Sequence, residues 1–308
     1  MRNSFSETLY DLAMADSKIC IVVADISPAG SMSKFSKEFP DRFINVGVAE
    51  QSMIGICAGL ALRGLKPFAY TIATFSLYRP FEMVRNDLAY QKLSVTVVGM
   101  GAGVTYAPLG GTHHSQEDIA IASAIPNMQV ISPCDPIEVA AATKYCSIQK
   151  NGPIYLRIGK SGEPNLSIQA EDWNFGKLRY LKRGNGACIL SYGAITKFAF
   201  DLSSKISETL RWPELSIISV HTLKPLDNEG LIEILSKYEQ IIIIEETSIY
   251  GSLGNAVKVI AYENNINKKI ITFALQDKFI DNNGTWEELI DAHGISINKM
   301  LKKITESI

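Results

Sequence analysis

The chain has 308 residues, room for two domains at about 150 residues each. Its 30 basic and 32 acidic residues give a net charge of −2, which excludes the basic excess of a nucleic-acid binder. A hydrophobic fraction of 46% with 20% charged residues excludes a disordered chain. Glu7, Asp11 and Asp16 interrupt the amino-terminal stretch, so it holds no signal-peptide core. The longest apolar run, 53–62, is far short of a membrane span. Cys20, Cys57, Cys134, Cys146 and Cys188 form no CxxC pair and leave an odd thiol, so they read as reduced cysteines. A soluble cytoplasmic protein, free of membrane and nucleic acid, is expected.

In chain order, β-rich runs fall at 18–25, 43–46, 66–71, 94–99, 128–132 and 153–158, with helical patterns at 49–62, 79–91, 116–124 and 135–148. This alternation predicts an α/β fold with a mostly parallel sheet flanked by helices. From 159 to 186 the sequence turns polar and glycine-dotted. Alternation resumes with strands at 187–193, 215–220, 240–246 and 269–275, separated by helices. The division expected is a first domain over 1–162, a linker over 163–186 and a smaller α/β domain over 187–308.

Open sheets of this kind place ligands at the strands' carboxyl ends. After the strand ending at Val46, Gly47 turns the chain and Glu50 falls in the first turn of a helix apolar on nearly every face, which predicts burial. Glu50 either complements the helix dipole or is a carboxyl held against an apolar wall, able to share a proton with a buried ligand. Phe75 and Tyr78 project from a loop after the 66–71 strand, as core or as a platform for a ring. Arg79 and Arg85 read as surface or ion-pair residues. Gly99, Gly101 and Gly103 have the spacing GxGxG, not GxGxxG, and Tyr106-Ala107-Pro108 follows, so a dinucleotide reading fails. What remains is a long loop closing on His113-His114; it fits no metal motif, and one imidazole suits either a substrate contact or a structural hydrogen bond. Arg157, flanked by apolar residues, needs an anion, either an internal carboxylate or a substrate phosphate. Arg2 precedes the first helix. No GxSxG elbow, P-loop or GDG metal-diphosphate signature is present.

Taken together, RFINVGVAEQ, TIATFSLYRPFEMVRND, GGTHHSQEDIAIASAIPNMQVISPCDP and GPIYLRIGK resemble the pyrimidine-binding domain of transketolase, while ISVHTLKPLD and IIIIEETSIYGSLGNAV resemble its C-terminal domain. The resemblance implies the thiamine-diphosphate pyrimidine-binding fold and a thiamine diphosphate cofactor. By it, Glu50 matches the glutamate bonded to N1′ of the aminopyrimidine, favouring the imino tautomer that deprotonates C2 of the thiazolium. Phe75 matches the aromatic on the pyrimidine, Tyr78 its pocket neighbour, and Asp25 a carboxylate near the thiazolium. His113 matches a sugar-hydroxyl contact, and Arg2 and Arg157 match holders of a sugar phosphate.

The diphosphate-binding domain of full transketolases has no counterpart in the sequence. The resemblance therefore implies the C-terminal subunit of a split, α2β2 transketolase acting on sugars or sugar phosphates. A separate N-terminal subunit would supply Mg2+ (or Ca2+), and the chain alone would be inactive. Ala29, Gly101, Leu109, Ile72 and Thr247 depart from family positions that carry a serine, a histidine, an aspartate, an aromatic and a histidine, so an altered substrate pocket is expected. The alternatives are a 1-deoxy-D-xylulose-5-phosphate synthase-like carboligase, a 2-oxo-acid dehydrogenase β subunit, or a non-catalytic scaffold.

Overall fold

The structure, a computed structural model, describes residues 1–26, 31–168, 170–281 and 284–307; Ala29 lies outside them. The first half runs α1 (Arg2–Ala15), β1 (Ile19–Val23), α2 (Ser31–Glu38), β2 (Phe43–Asn45), α3 (Glu50–Leu62), β3 (Lys66–Ile72), α4 (Ala73–Leu77), α5 (Phe81–Met83) with a π-helical continuation Val84–Tyr90, β4 (Thr96–Met100), α6 (Asp118–Ala124), β5 (Gln129–Ile131), α7 (Pro136–Ile148) and β6 (Ile154–Ile158). The second half runs β7 (Arg179–Lys182), β8 (Cys188–Ser191), α8 (Lys197–Leu210), β9 (Ser216–Ser219), β10 (Thr222–Lys224), α9 (Asn228–Lys237), β11 (Gln240–Ser248), α10 (Leu253–Glu263), β12 (Lys269–Leu275), α11 (Trp286–Ala292) and α12 (Ile297–Thr305).

The strands form two sheets, ordered β10-β5-β6-β4-β3-β1-β2 and β12-β11-β8-β9-β7. Pairing is parallel except where β10 meets β5 and β7 meets β9. All five residues of β1, β4 and β6 are buried, as a parallel sheet covered on both faces requires. Against one face pack Phe5 and Leu9 of α1, Phe35 of α2 and Val139 of α7. Against the other pack Met53 and Cys57 of α3 and Leu77 of α4, and this core continues without a break through Tyr155 to Tyr192, Ile218 and Ile243 of the second domain.

Two short strands cross the expected boundaries. β7 lies inside the stretch read as a linker; its alternating burial, with Arg179 and Leu181 inward, is the half-buried edge pattern that charged residues disguise in sequence. β10 belongs by sequence to the second domain yet forms the edge of the first sheet. The 74–78 loop is helical instead, as α4, and Arg2 opens the first helix rather than preceding it. Helix α3 also departs from expectation: Met53, Ile54, Cys57 and Ala58 are buried, but Ile56 is 37% and Leu62 64% exposed.

Asp135 is the polar hinge between the halves. Its Oδ1 caps α7 by accepting from Glu138 N at 2.8 Å. Its Oδ2 accepts from Leu166 N and Ser167 N at 2.8 Å and from Ser167 Oγ at 2.7 Å, fixing the chain that leaves the first domain. Beside it, buried Glu138 pairs with Arg179 of β7 at 3.1 Å. Asp135→Ala is therefore expected to lower the unfolding free energy by about 2–4 kcal/mol, read from urea titration. A loss below about 0.5 kcal/mol would mean that this carboxylate does not hold the connection.

Candidate functional site

The carboxyl ends of β1, β2, β3, β4 and β6 face a common edge. At the first two, Asn45 Oδ1 accepts from Asp25 N at 3.2 Å and Gly47 N at 3.0 Å, tying the strand ends together before α3 begins. Gly47 takes φ +68°, a conformation open to glycine, and so swings the chain into the helix. Asp25 stands exposed beyond β1 in the left-handed region, φ +46°.

Glu50 opens α3 and is only 2% exposed. Its Oε2 accepts from Arg79 Nη1 at 2.7 Å, so Arg79 is an ion-pair residue of this edge. The Arg79 guanidinium in turn lies 4.7 Å from the centre of the half-buried Phe75 ring. Phe75 meets the His113 ring edge-on, with centroids 5.2 Å apart. His113 is half-buried and shares a 3.0 Å hydrogen bond between Nδ1 and Thr112 Oγ1; Tyr106 follows at 6.2 Å. Lys160 Nζ lies 4.8 Å from the Tyr106 ring centre. Below Tyr106, a cavity of about 160 Å³ is lined by Arg2, Ser6, Ile26, Met32, Tyr70 and Met100. Arg2 Nε is buried there without a hydrogen-bond partner among the described residues. A carboxylate, an aromatic ring, an imidazole and two cations thus succeed one another along one edge of the sheet.

Two expected ligands are occupied otherwise. Arg157 lies inside β6 and is 2% exposed. Its Nε donates to Asp118 Oδ2 at 2.8 Å and its Nη2 to the Glu246 carbonyl at 2.7 Å. The internal carboxylate, not a phosphate, answers its charge, because a guanidinium sealed in the sheet cannot meet a substrate. Lys160, half-buried and two residues past the end of β6, is a cation that does reach this edge; the GK that follows the strand is a signal easily taken for plain surface. Tyr78 gives its hydroxyl to Glu117 Oε2 at 2.7 Å and accepts from Glu117 N at 3.1 Å, holding the start of α6 to α4. Burial, with Asp118 and Glu117 nearby, pushes its phenol far up and keeps it neutral.

The histidine pair divides. His113 faces the edge, whereas His114 is 3% exposed and burial holds its imidazole below the ordinary range. Gly101, at φ +73°, lies against the Tyr106 ring, so a side chain there would be strained and would have to displace that ring. Thr247 donates to the Gln116 carbonyl at 2.7 Å, and Leu109 is 51% exposed. Among the described residues no three His, Cys, Asp or Glu side chains gather to hold a metal ion, and no helix is long and apolar enough to cross a membrane.

Residues 1–164 match the family described as "Transketolase, pyrimidine binding domain", and residues 176–300 match "Transketolase, C-terminal domain". The chain belongs to the transketolase family. It is 34% identical to the putative transketolase C-terminal section of Methanocaldococcus jannaschii, over 100% of this chain and 96% of that protein. It is 33% identical to an apulose-4-phosphate transketolase subunit of Phocaeicola vulgatus, over 88% and 86%. A solved structure described as "Split gene transketolase, inactive beta4 tetramer" superposes with a TM-score of 0.86 at 30% identity, covering 99% of this chain and 96% of that one. The chain therefore carries the pyrimidine-binding and C-terminal domains of a split transketolase.

Two buried acids of β11 carry no signal in the sequence. Glu245 accepts from Tyr192 Oη at 3.1 Å, Leu253 N at 2.9 Å and Gly254 N at 3.0 Å, capping α10 from below. Burial pushes its carboxyl up to about 7, against the helix amides that pull it down. Glu246 is pushed up to about 7 by burial as well, with Arg157 opposing. A carboxyl whose folded pKa is raised stabilises the fold below its unfolded pKa and loses that contribution as pH rises through the folded value. The melting temperature of Glu245→Gln is accordingly expected to fall less than that of the native chain between about pH 5 and about pH 8. Parallel curves would show that Glu245 ionises in the fold as freely as in water.

Proposed function

We propose that this chain is the C-terminal subunit of a thiamine-diphosphate-dependent transketolase, which moves a two-carbon ketol unit from a ketose donor to an aldehyde or aldose acceptor. The observation that carries the reading is Glu50: a carboxylate buried at a helix start, at a ligand-binding sheet edge, beside Phe75 and 2.7 Å from Arg79. These residues fit an aminopyrimidine ring, with a carboxyl for a ring nitrogen and an aromatic side chain alongside. Thiamine diphosphate, when bound, supplies a nucleophilic carbon and an electron sink.

Glu50 would hold and return the proton at N1′, Arg79 would fix the carboxyl's orientation, and Phe75 would position the ring, with Tyr78 bracing α4 behind it. Asp25, exposed beyond β1, would face the thiazolium side. His113 would bond sugar hydroxyls. Arg2 and Lys160 would take an anionic end of the substrate, a reading supported by the phosphate in the name of the apulose-4-phosphate relative.

A second polypeptide, in an α2β2 assembly, would hold the diphosphate and Mg2+ (or Ca2+). Support comes from the outer face of α3, where Ile56 and Leu62 are exposed. On that face Gly55 and Gly59 have open space where a Cβ would go, so this chain's own packing does not require them. The similar structure described as an inactive β4 tetramer supports the need for a partner. The five buried thiols support a reducing, cytoplasmic setting.

In the complex reconstituted with an N-terminal subunit from the same genome, Glu50→Gln is expected to cut turnover by about 10²–10⁴-fold with assembly intact. Turnover within about twofold of native would end the proton-holding role of Glu50. Lys160→Ala is expected to raise KM for a phosphorylated sugar about tenfold or more and to leave an unphosphorylated donor such as hydroxypyruvate nearly unaffected. Equal changes with both donors would remove Lys160 from the anion site.

A further inference from the structure

Tyr106 and His113 ride on the connection between β4 and α6, and this connection is closed at its neck. Ser115 N donates to the Gly103 carbonyl at 2.8 Å and Gly103 N to Ser115 Oγ at 2.9 Å, so 103–115 forms a compact loop with adjoining ends. The neck rests on the second domain. Glu246 Oε1, at the far end of β11, accepts from Val104 N and from Trp286 Nε1, each at 2.8 Å. The carbonyl of Glu246 is held by Arg157 at 2.7 Å, so its backbone is fixed from the first domain. Gly103, at φ +65°, brings bare backbone onto this carboxylate, and a Cβ there would collide with it. On the other side of the neck the Gln116 carbonyl accepts from Thr247 Oγ1 and Ser248 N, each at 2.7 Å.

We propose that Glu246 is a positioning residue for substrate binding: its carboxylate, reaching from the second domain, grips the neck of the 103–115 loop and so sets where His113 and Tyr106 stand against the sugar. The proposal rests on the reading of His113 as a sugar contact. Above its raised pKa of about 7 the Glu246 carboxylate is ionised, and charge-assisted bonds from two N–H donors to it are about twice as strong as neutral ones; here both close on a single oxygen. Trp286 is itself immobilised by stacking on Phe198, with centroids 5.4 Å apart, so the grip is braced on both sides. The second domain thereby becomes part of the substrate site without touching the substrate.

The test pairs Glu246→Gln with Trp286→Phe. Amide hydrogen exchange is read on the whole chain without any substrate, and steady-state kinetics on the reconstituted complex. Glu246→Gln is expected to speed exchange at Val104 and along 103–115 about tenfold, with the strands β11 and β8 unchanged. In the complex it is expected to raise KM for the sugar about tenfold while kcat stays within about twofold, because the cofactor edge at Glu50 is untouched. Trp286→Phe, which leaves the bond to Val104 in place, is expected to give the same pattern at smaller amplitude. Unchanged exchange in the loop overturns the grip. Faster exchange with an unchanged KM overturns its role in substrate binding. A native complex that turns over no sugar defeats the proposed reaction and with it the substrate role, while the exchange result still decides whether Glu246 holds the loop.

Discussion

The buried guanidinium of Arg157 is the constraint from which the rest of the site is laid out. It bridges three elements: its own strand β6, the start of α6 through Asp118, and β11 of the other domain through the Glu246 carbonyl. Asp118 is completed by the Tyr155 hydroxyl at 2.8 Å. Taking such a pair out of water is costly, and an arrangement of this kind survives only when nearly every polar atom finds a partner. What the fold gains is geometry. With β6, α6 and β11 fixed to one cation, the loop that leaves β4 has a floor to close on.

Above that floor the site is divided between regular and irregular structure. Glu50 and Phe75 sit on helices that begin just after strands, and their positions follow from the sheet. His113 and Tyr106 sit on a loop, the part of a protein that varies most easily. Here the variation is restrained by hydrogen bonds at both ends of the neck. Glu50 and Phe75 thus depend on the first sheet, whereas His113 and Tyr106 depend on both domains. The departures at Gly101 and Thr247 belong to the second group: the glycine makes room for Tyr106, and the threonine is one of the stitches.

Much of this was legible in sequence, for physical reasons. Parallel strands buried on both faces show as mostly apolar runs, so β1, β4 and β6 could be placed within a residue or two. Glu50 stood out because a strand, a glycine turn and an apolar helix meet there. The edge strands β7 and β10 were invisible, being three or four residues long and rich in Arg, Lys and Thr. Arg157 left two readings open, since an apolar flank says that a cation needs an anion but not whose. Lys160 was missed because a lysine next to glycine after a strand looks like ordinary surface. Glu245 and Glu246 lay unremarked at the end of the 240–246 run; only the tertiary fold shows them covered by α10 and α11.

The crossing of β10 into the first sheet has a consequence for how such a chain can be divided. A cut between the two domains would strip β5 of its outer neighbour and leave a row of unpaired amides and carbonyls on an apolar sheet, an invitation to association with the wrong chain. The seam where the sequence looks weakest is therefore a poor place to separate the halves.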